Sequence, residues 1–302
     1  MAVDAPAAAT LATHTGRRRL RSRFIRVAAV VPALAWIAAL VLVPLVIMFV
    51  FSLWDVRDYR IYHAWTASQY QQTIGSNLWR VLLGRTLMTA LIVASIATAI
   101  GLPLAWFVSR RLNRAKALAL VLLLLPLWVS FLLRAYSWKV ILGDQGILNT
   151  FLIRIGVISH PLNALLYSRT AVVIALLYVS IPFVFAPIFV AFERIPNDFL
   201  WASRDLGGNG LRTFVHVAIP LALPGIVTGF AFSFVLSVGD FVTPTLVGGT
   251  SGTMVGALIV SQFGLAFDWP LGAAMALVLL VIVLVFLGLV RRFVRVEATF
   301  QQ

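Results

Sequence analysis

Long apolar runs with almost no charge recur along this 302-residue chain and constrain its fold more than any other feature. Most runs are about 20 residues long, the length that an α-helix needs to cross the hydrocarbon core of a bilayer. Backbone polar groups in lipid must be satisfied within the segment, so such runs fold as helices. Only 11% of the residues are charged, too few to cover the surface of a soluble protein of this size. The sequence therefore predicts an all-α polytopic membrane protein.

The apolar runs predict about six membrane spans. They are, in chain order, residues 27–53, 86–108, 117–140, 171–191, 221–246 and 271–290. Pro126 is expected to kink the third span, and further prolines and glycines in spans two to five predict bent helices around a cavity. The outer connections are predicted at residues 54–84, 143–166 and 248–269, the second of them partly helical.

The basic residues orient these spans. Segments 17–26, 110–116, 193–220 and 291–302 hold six, four, three and three Lys and Arg residues, sixteen of the 24 in the chain. Because Lys and Arg concentrate in cytoplasmic loops, both termini are predicted to be cytoplasmic. This divides the chain into a basic tail (1–26), a transmembrane domain (27–290) and a short tail (291–302). The basic residues lie beside apolar spans without interleaved aromatics, so we expect no nucleic-acid partner.

The longest polar interruption in the second half of the chain covers residues 197–225. It has helix-forming character up to Leu206, then a break at residues 207–210, then an amphipathic run that is predicted to stop at Pro220. Glycine permits a sharp turn, and proline sits at a helix boundary or kink. We therefore predict two short helices joined by a tight turn at the cytoplasmic surface, within a loop spanning residues 193–220.

This segment resembles the EAA loop of ABC-importer permeases, in which a coupling helix docks on the ATPase subunit. The resemblance rests on Trp201-Ala202-Ser203, then Gly207, then Val217-Ala218-Ile219-Pro220. Trp201 stands where the motif has Glu, and Ser203 where it has its second Ala. The resemblance implies a turn at Gly207, an apolar docking face of Leu206, Leu211 and Phe214, and a full coupling set of Trp201, Ala202, Ser203, Asp205, Leu206, Gly207, Leu211, Phe214 and Pro220.

A second resemblance covers most of the chain from about residue 86 to 292. Residues 131–138 (FLLRAYSW), 237–249 (SVGDFVTPTLVGG), 262–263 and 268–274 (DWPLGAA) are similar to permeases of the spermidine/putrescine importer family, in the order of the first permease of the pair. The resemblance implies a type I, MetI-like fold in the bacterial cytoplasmic membrane. It also implies a second related permease, two ATPase subunits and a periplasmic or lipoprotein substrate-binding protein, with a polyamine as substrate.

Asp240 is the carboxylate that this reading places in a substrate pathway. A carboxylate at a membrane span is costly and faces a cavity or a partner, and aromatic rings attract cations. Asp240, Phe241, Arg134 and Trp138 are therefore the candidate pathway residues. Two alternatives stay open at this point: Asp240 pairs with Arg134, or it caps a helix break before Pro244. Asp268 is expected to cap the last span.

The chain carries no catalytic or metal-binding motif. The glycine-rich residues 248–252 lack the Lys-Ser/Thr of a Walker A loop, and the chain's lysines are Lys116 and Lys139. The four histidines are scattered and cysteine is absent. We expect no enzyme activity and no cofactor in this chain, with ATP and Mg bound by the partner ATPase. The alternatives are an ion-coupled secondary transporter, for which more acids within spans than Asp240 are expected, an intramembrane enzyme, or an importer permease for an amino-acid derivative or phosphonate.

Overall fold

A computed structural model of the chain describes residues 31–299 other than 33, 59, 163 and 164. The predictions for the basic tail and for residues 300–302 lie outside this range. In chain order the helices are α1 (Leu34–Ser52), α2 (Ser68–Gly75), α3 (Asn77–Arg111), α4 (Lys116–Leu124), α5 (Phe131–Leu142), α6 (Ile147–Arg154), α7 (Arg169–Glu193), α8 (Asn197–Asp205), α9 (Gly210–Thr213), α10 (Ile219–Gly239), α11 (Val242–Val247), α12 (Gly249–Gly252), α13 (Val255–Gly264) and α14 (Trp269–Thr299).

Five helical segments of the described chain are long and apolar enough to cross a membrane. They are Leu34–Ser52, Asn77–Arg111, Arg169–Glu193, Gly210–Gly239 and Trp269–Arg292. A bent pair of helices brings the number to six when it is counted as one span. This confirms the predicted class, an all-α protein with about six spans.

The third predicted span is not one continuous helix. After α4 the chain makes a 3₁₀ turn at Leu125–Trp128, and it then bends by 92° before α5. Val129 (φ −80°, ψ 135°) and Ser130 (φ −52°, ψ 139°) take extended backbone conformations, so the helical hydrogen bonds stop there. The prediction of a single kinked helix over residues 117–140 was wrong, because the break follows Pro126 by three residues and is far sharper than a proline kink.

Two other span boundaries also differ from the prediction. The second span begins at Asn77 instead of residue 86, with the Ser76 hydroxyl accepting a hydrogen bond of 3.3 Å from the backbone N–H of Trp79. The outer segment before it holds α2 and a hairpin of β1 (Asp55–Arg57) and β2 (Arg60–Tyr62), in which Val56 pairs with Ile61. The fifth span ends at Gly239, and residues 242–264 form the short helices α11, α12 and α13.

The centre of the fold is the packing of α3, α7 and α10 on one another. Gly225 and Gly229, four residues apart on α10, allow this helix to approach α7 closely. A Cβ at Gly225 would lie 2.6 Å from the carbonyl oxygen of Pro187, and one at Gly229 would lie 2.8 Å from that of Val184. Small residues at this spacing bring membrane helices into van der Waals contact. The sequence analysis missed this pair, although its spacing is visible in the sequence.

Candidate functional site

The polar segment after α7 folds into two short helices, α8 and α9, joined by a tight glycine turn. Gly207 adopts a left-handed conformation (φ +80°), its N–H donates to Arg204 O at 2.8 Å, and Gly208 N–H donates to Ser203 O at 2.8 Å. This pair of bonds is the Schellman motif that ends many helices at a glycine. Asn209 then caps α9 by accepting a 2.8 Å hydrogen bond from the N–H of Arg212.

The second run does not stop at Pro220, which corrects the prediction. Residues 210–239 form one helical span, in which a π-helical turn at Phe214–Ala218 leads directly into α10. Pro220 lies in the first turn of α10. The helix continues through this proline because it follows the π-helical turn, where the regular hydrogen-bond pattern is already interrupted and the N–H of Ile219 donates to Phe214 O.

Most of the predicted coupling residues lie on the exposed surface of this segment. Leu206 is 88% exposed, Leu211 72% and Trp201 57%, and Ala202 and Asp205 are exposed as well. Phe199, which the sequence analysis did not select, is also exposed and lines a cleft of about 520 Å³ with Ala202 and Leu206.

Phe214 packs into the core, and Ser203 is half-buried between the two short helices. The Phe214 ring lies 5.4 Å from Trp106 and 6.2 Å from Phe192 between ring centroids, within the core, so it does not belong to the exposed apolar face. The hydroxyls of Ser203 and Thr213 are 2.9 Å apart and join α8 to α9. The exposed face is therefore formed by Leu206 and Leu211 together with Phe199.

Arg110, in the last turn of α3, joins three elements at the base of this segment. Its Nη2 donates to Phe192 O at 2.6 Å and to Ile195 O at 2.9 Å, at the end of α7. Its Nη1 donates to the side-chain oxygen of Asn197, the first residue of α8, at 2.9 Å. Its guanidinium also lies 5.5 Å from the centroid of the Trp106 ring. From the sequence alone, Arg110 counts only among the basic residues that orient the spans in the membrane.

A second candidate region is a cavity of about 330 Å³ between α5, α7 and α10, which Arg134, Asp240, Phe131, Ser180 and Ser237 help to line. Asp240 is only 7% exposed. The cavity thus brings together the carboxylate and the guanidinium that the sequence analysis assigned to a substrate pathway.

The Asp240 carboxylate caps α11. One oxygen accepts a 2.9 Å hydrogen bond from the Thr243 N–H, and the other accepts a 2.6 Å bond from the Thr243 hydroxyl. Arg134 acts electrostatically on this carboxylate, but the two groups do not form an ion pair within 4.0 Å, and Arg134 donates instead to Pro126 O at 3.4 Å. Of the two alternatives, the structure shows the helix cap.

The other two candidate pathway residues lie outside this lining. Trp138 packs edge to face on Tyr178, with 5.8 Å between ring centroids. Phe241 is 39% exposed and backs onto Gly256, where a Cβ would lie 3.1 Å from the Phe241 Cβ. Neither ring is among the side chains that line the cavity.

Asp268 caps α14, as the sequence predicted. Its Oδ1 accepts a 3.1 Å hydrogen bond from the N–H of Leu271. Burial raises the pKa of Asp268, the hydrogen bond from Leu271 acts to lower it, and the nearby Asp55 raises it further.

A bundle of apolar helices, a mostly apolar cavity that Arg134 and Asp240 help to line, and an exposed helix pair at one end of the bundle are the features expected of a membrane permease. The chain belongs to the family of binding-protein-dependent transport system inner membrane components, which matches residues 6–296. It is the permease subunit of an ABC importer, a multi-pass protein of the inner membrane, and it is not an enzyme. The predicted function class is confirmed, and this family does not favour the alternative of a secondary transporter.

Several relatives align over most of the chain. The spermidine/putrescine transport system permease protein PotB of Escherichia coli is 35% identical over 217 residues, 72% of this chain and 78% of that protein. Its namesake in Haemophilus influenzae is 34% identical over 252 residues, 82% and 86% of the two chains. The inner membrane ABC transporter permease protein YdcU of Escherichia coli is 34% identical over 221 residues, 69% and 70% of the two chains.

Solved structures share the fold at low sequence identity. A bacterial alginate ABC transporter, in complex with an alginate pentasaccharide-bound periplasmic protein, matches with a TM-score of 0.71 at 12% identity, over 92% of this chain and 96% of that chain. The MetNI methionine ABC transporter in inward-facing conformations matches with a TM-score of 0.54 at 19% identity, over 74% and 99% of the two chains. These likenesses support the predicted MetI-like fold.

Proposed function

We propose that this chain is a polyamine-importing permease that works with a second related permease, two ATPase subunits and a periplasmic or lipoprotein substrate-binding protein. ATP and Mg bind to the ATPase subunits, and this chain itself holds no cofactor. The observation that carries the choice of substrate is the 34–35% identity, over most of both chains, to permeases named for spermidine and putrescine transport.

The α8–turn–α9 segment is the proposed docking element for an ATPase subunit. Leu206 and Leu211 are large apolar side chains that remain exposed at the end of the bundle, where a partner would remove them from water. When ATP binding closes the ATPase pair, the docked segment is displaced. The hydrogen bonds of Arg110 pass this displacement to α3 and α7. Rocking of the helix bundles then opens the pathway toward the binding protein.

The cavity beside Asp240 is the proposed part of the substrate pathway in this chain. The Asp240 carboxylate attracts an extended polycation, while Arg134 on the opposite wall offsets part of that attraction. A pathway with this balance holds a cation only briefly, which favours passage over tight binding. Phe241 and Trp138 stay candidate pathway residues for another conformation, since neither lines the cavity in this one.

In this proposal both termini and the coupling segment face the cytoplasm. The exposed α8–turn–α9 segment and the α3–α4 connection lie at the same end of the bundle, where Lys116 at the start of α4 forms a 2.9 Å ion pair with Glu193 at the end of α7. The concentration of Lys and Arg at this end supports the assignment.

The experiment is uptake of radiolabelled spermidine and putrescine into proteoliposomes that contain the complete complex with its binding protein and internal ATP. The expected result is uptake that stops when the catalytic Lys of the ATPase Walker A loop is replaced by Ala. Polyamine uptake without ATP would contradict the importer mechanism. ATP-dependent uptake of an amino-acid derivative or phosphonate, without polyamine uptake, would contradict the substrate alone.

A further inference from the structure

Three arginines line one small cavity at the base of the coupling segment. The cavity holds about 220 Å³ and lies between the end of α3, helix α8 and the start of α9. Arg110 and Arg111 line it from α3, and Arg204 lines it from α8. Trp106 and Trp201 form aromatic walls, and no Asp or Glu is among the residues of this chain around it.

These arginines have no acidic partner in the described part of the chain. None of them forms an ion pair within 4.0 Å, and all the acceptors bonded to Arg110 are neutral, two backbone carbonyls and an amide oxygen. The Nε of Arg110 is buried and also lacks a hydrogen-bond partner there. Glu193 attracts Arg110 electrostatically, but both oxygens of that carboxylate are bonded to Lys116, at 3.0 and 2.9 Å.

The cavity has the size and chemistry of a site for one small anionic group. Its volume corresponds to roughly seven water molecules at about 30 Å³ each, enough for a carboxylate side chain or a phosphate and too small for a nucleotide. Guanidinium groups bind carboxylate and phosphate through paired hydrogen bonds. No carboxylate of the cavity lining balances the three positive charges, so an anion in the cavity would interact favourably with them.

We propose that this arginine cavity receives an acidic side chain from the ATPase subunit that docks on α8. The inference rests on the proposed function, because it requires that docking. Trp201 is 57% exposed, Arg204 is exposed as well, and both line the cavity, so a subunit that packs on this face of α8 reaches the cavity directly. No carboxylate of the described residues lines the cavity, so the negative charge is assigned to the partner.

The test measures the affinity of the purified ATPase subunit for the permease pair in nanodiscs at several salt concentrations. The variants are Arg204→Gln, which removes one charge, and Trp201→Glu, which places a carboxylate of this chain in the cavity. Trp201→Gln is the control for Trp201→Glu, because glutamine has the shape of glutamate without its charge. Arg114→Gln is the control, because Arg114 is an exposed arginine of the α3–α4 connection outside the cavity.

We expect Arg204→Gln to weaken ATPase binding about tenfold relative to the wild type, the effect of losing one charge-assisted hydrogen bond, and to reduce its salt dependence. Trp201→Glu should bind about tenfold more weakly than Trp201→Gln, because these two variants differ only in charge, and Arg114→Gln should bind like the wild type. Equal binding by Arg204→Gln and Arg114→Gln, together with equal binding by the two Trp201 variants, would overturn the proposal. If Arg204→Gln then changed only the dependence of activity on anionic lipid, the cavity would be assigned to a lipid phosphate. A wild-type complex that binds no ATPase would overturn the proposed function itself.

Discussion

The guanidinium of Arg110 donates a 2.9 Å hydrogen bond to the side-chain oxygen of Asn197, and this bond joins the end of a central membrane helix to the first residue of α8. The same guanidinium holds the backbone carbonyls of Phe192 and Ile195 at the end of α7. A displacement of α8 therefore acts on two central helices through one planar group. This makes Arg110 a positioning residue for coupling, in addition to its place in the lining of the arginine cavity.

Arg110→Lys should uncouple transport from ATP hydrolysis. The lysine ammonium keeps the positive charge but is a single point donor. It cannot reproduce the planar guanidinium, which donates to the carbonyls of Phe192 and Ile195 and to the side chain of Asn197. We expect uptake to fall about tenfold while the complex still assembles and hydrolyses ATP. The measurement is the number of ATP molecules hydrolysed per substrate imported, with Arg114→Lys as control. An unchanged ratio in Arg110→Lys would show that the link carries no coupling.

Gly207→Val should damage coupling through the backbone of the turn. Gly207 has φ +80°, a conformation that costs an L-residue about 1–2 kcal/mol, and more for a β-branched side chain. The side chain itself would meet open space, since nothing lies within 4 Å of a Cβ at this position. We expect ATP hydrolysis to continue with reduced uptake. Gly84→Ala, which adds a Cβ to open space on the helix α3, should transport normally. Normal coupled transport by Gly207→Val would count against the role of this turn.

Gly225→Ala should destabilise the helix bundle. The added methyl group would clash with Ala191 and with the carbonyl oxygen of Pro187, so α7 and α10 would have to separate. Overpacking of this kind costs about 1–3 kcal/mol. The measurement is the melting temperature of the purified complex in detergent, where a decrease is expected. Gly288→Ala in α14 is the matched control, because nothing lies within 4 Å of a Cβ there. Equal melting temperatures for the two variants would contradict the close helix contact.

Single cysteines should report the orientation of the chain. The sequence contains no cysteine, so Ala64→Cys and Asn113→Cys each introduce one exposed thiol without further changes. Because basic loops stay in the cytoplasm, a membrane-impermeant maleimide should label Ala64→Cys in intact cells and Asn113→Cys only after lysis. The opposite pattern would place the coupling segment on the wrong side of the membrane for an ATPase.

Hydropathy predicted the number of spans and most of their positions, because the cost of exposing the backbone to lipid acts on each segment separately. The break after Pro126 could not be predicted in the same way. The apolar run continues through Val129 and Ser130, and their extended conformation depends on the packing of α5 beside α7 and α11. The end of the fifth span at Gly239 escaped prediction for a similar reason, since residues 241–247 hold no charged side chain and continue the apolar run.

The candidate sites likewise have some features that could be predicted from the sequence and others that could not. The exposure of Leu206 and Leu211 could be predicted, because the segment's helix–turn–helix pattern is local. The inward direction of Phe214 could not, because it depends on contacts with Trp106 and Phe192, which are distant in the sequence. The role of Arg110 was hidden for the same reason, because two of its acceptors are backbone carbonyls, which leave no signature in the sequence, and the third, the Asn197 side chain, is 87 residues away.

Asp240→Asn separates the two roles that the structure gives to Asp240. Asparagine is as good a helix-capping residue as aspartate, because its Oδ1 can still accept from the Thr243 N–H. Its amide NH2 would donate to the Thr243 hydroxyl where the carboxylate accepts from it, so α11 stays in place while the charge is removed. If the carboxylate attracts the substrate, the KM for spermidine should rise about tenfold, the equivalent of about 1.4 kcal/mol, with normal assembly and ATP hydrolysis.

Asp240→Ala removes both the charge and the cap, and this makes it the comparison for the asparagine variant. The Thr243 N–H would lose its acceptor in a buried position, which should lower the stability of the complex by about 0.5–2 kcal/mol. A lower melting temperature for Asp240→Ala but not for Asp240→Asn is expected. Should Asp240→Asn take up spermidine with an unchanged KM, Asp240 would be a structural cap alone, and the cation pathway would have to be sought elsewhere in the assembly.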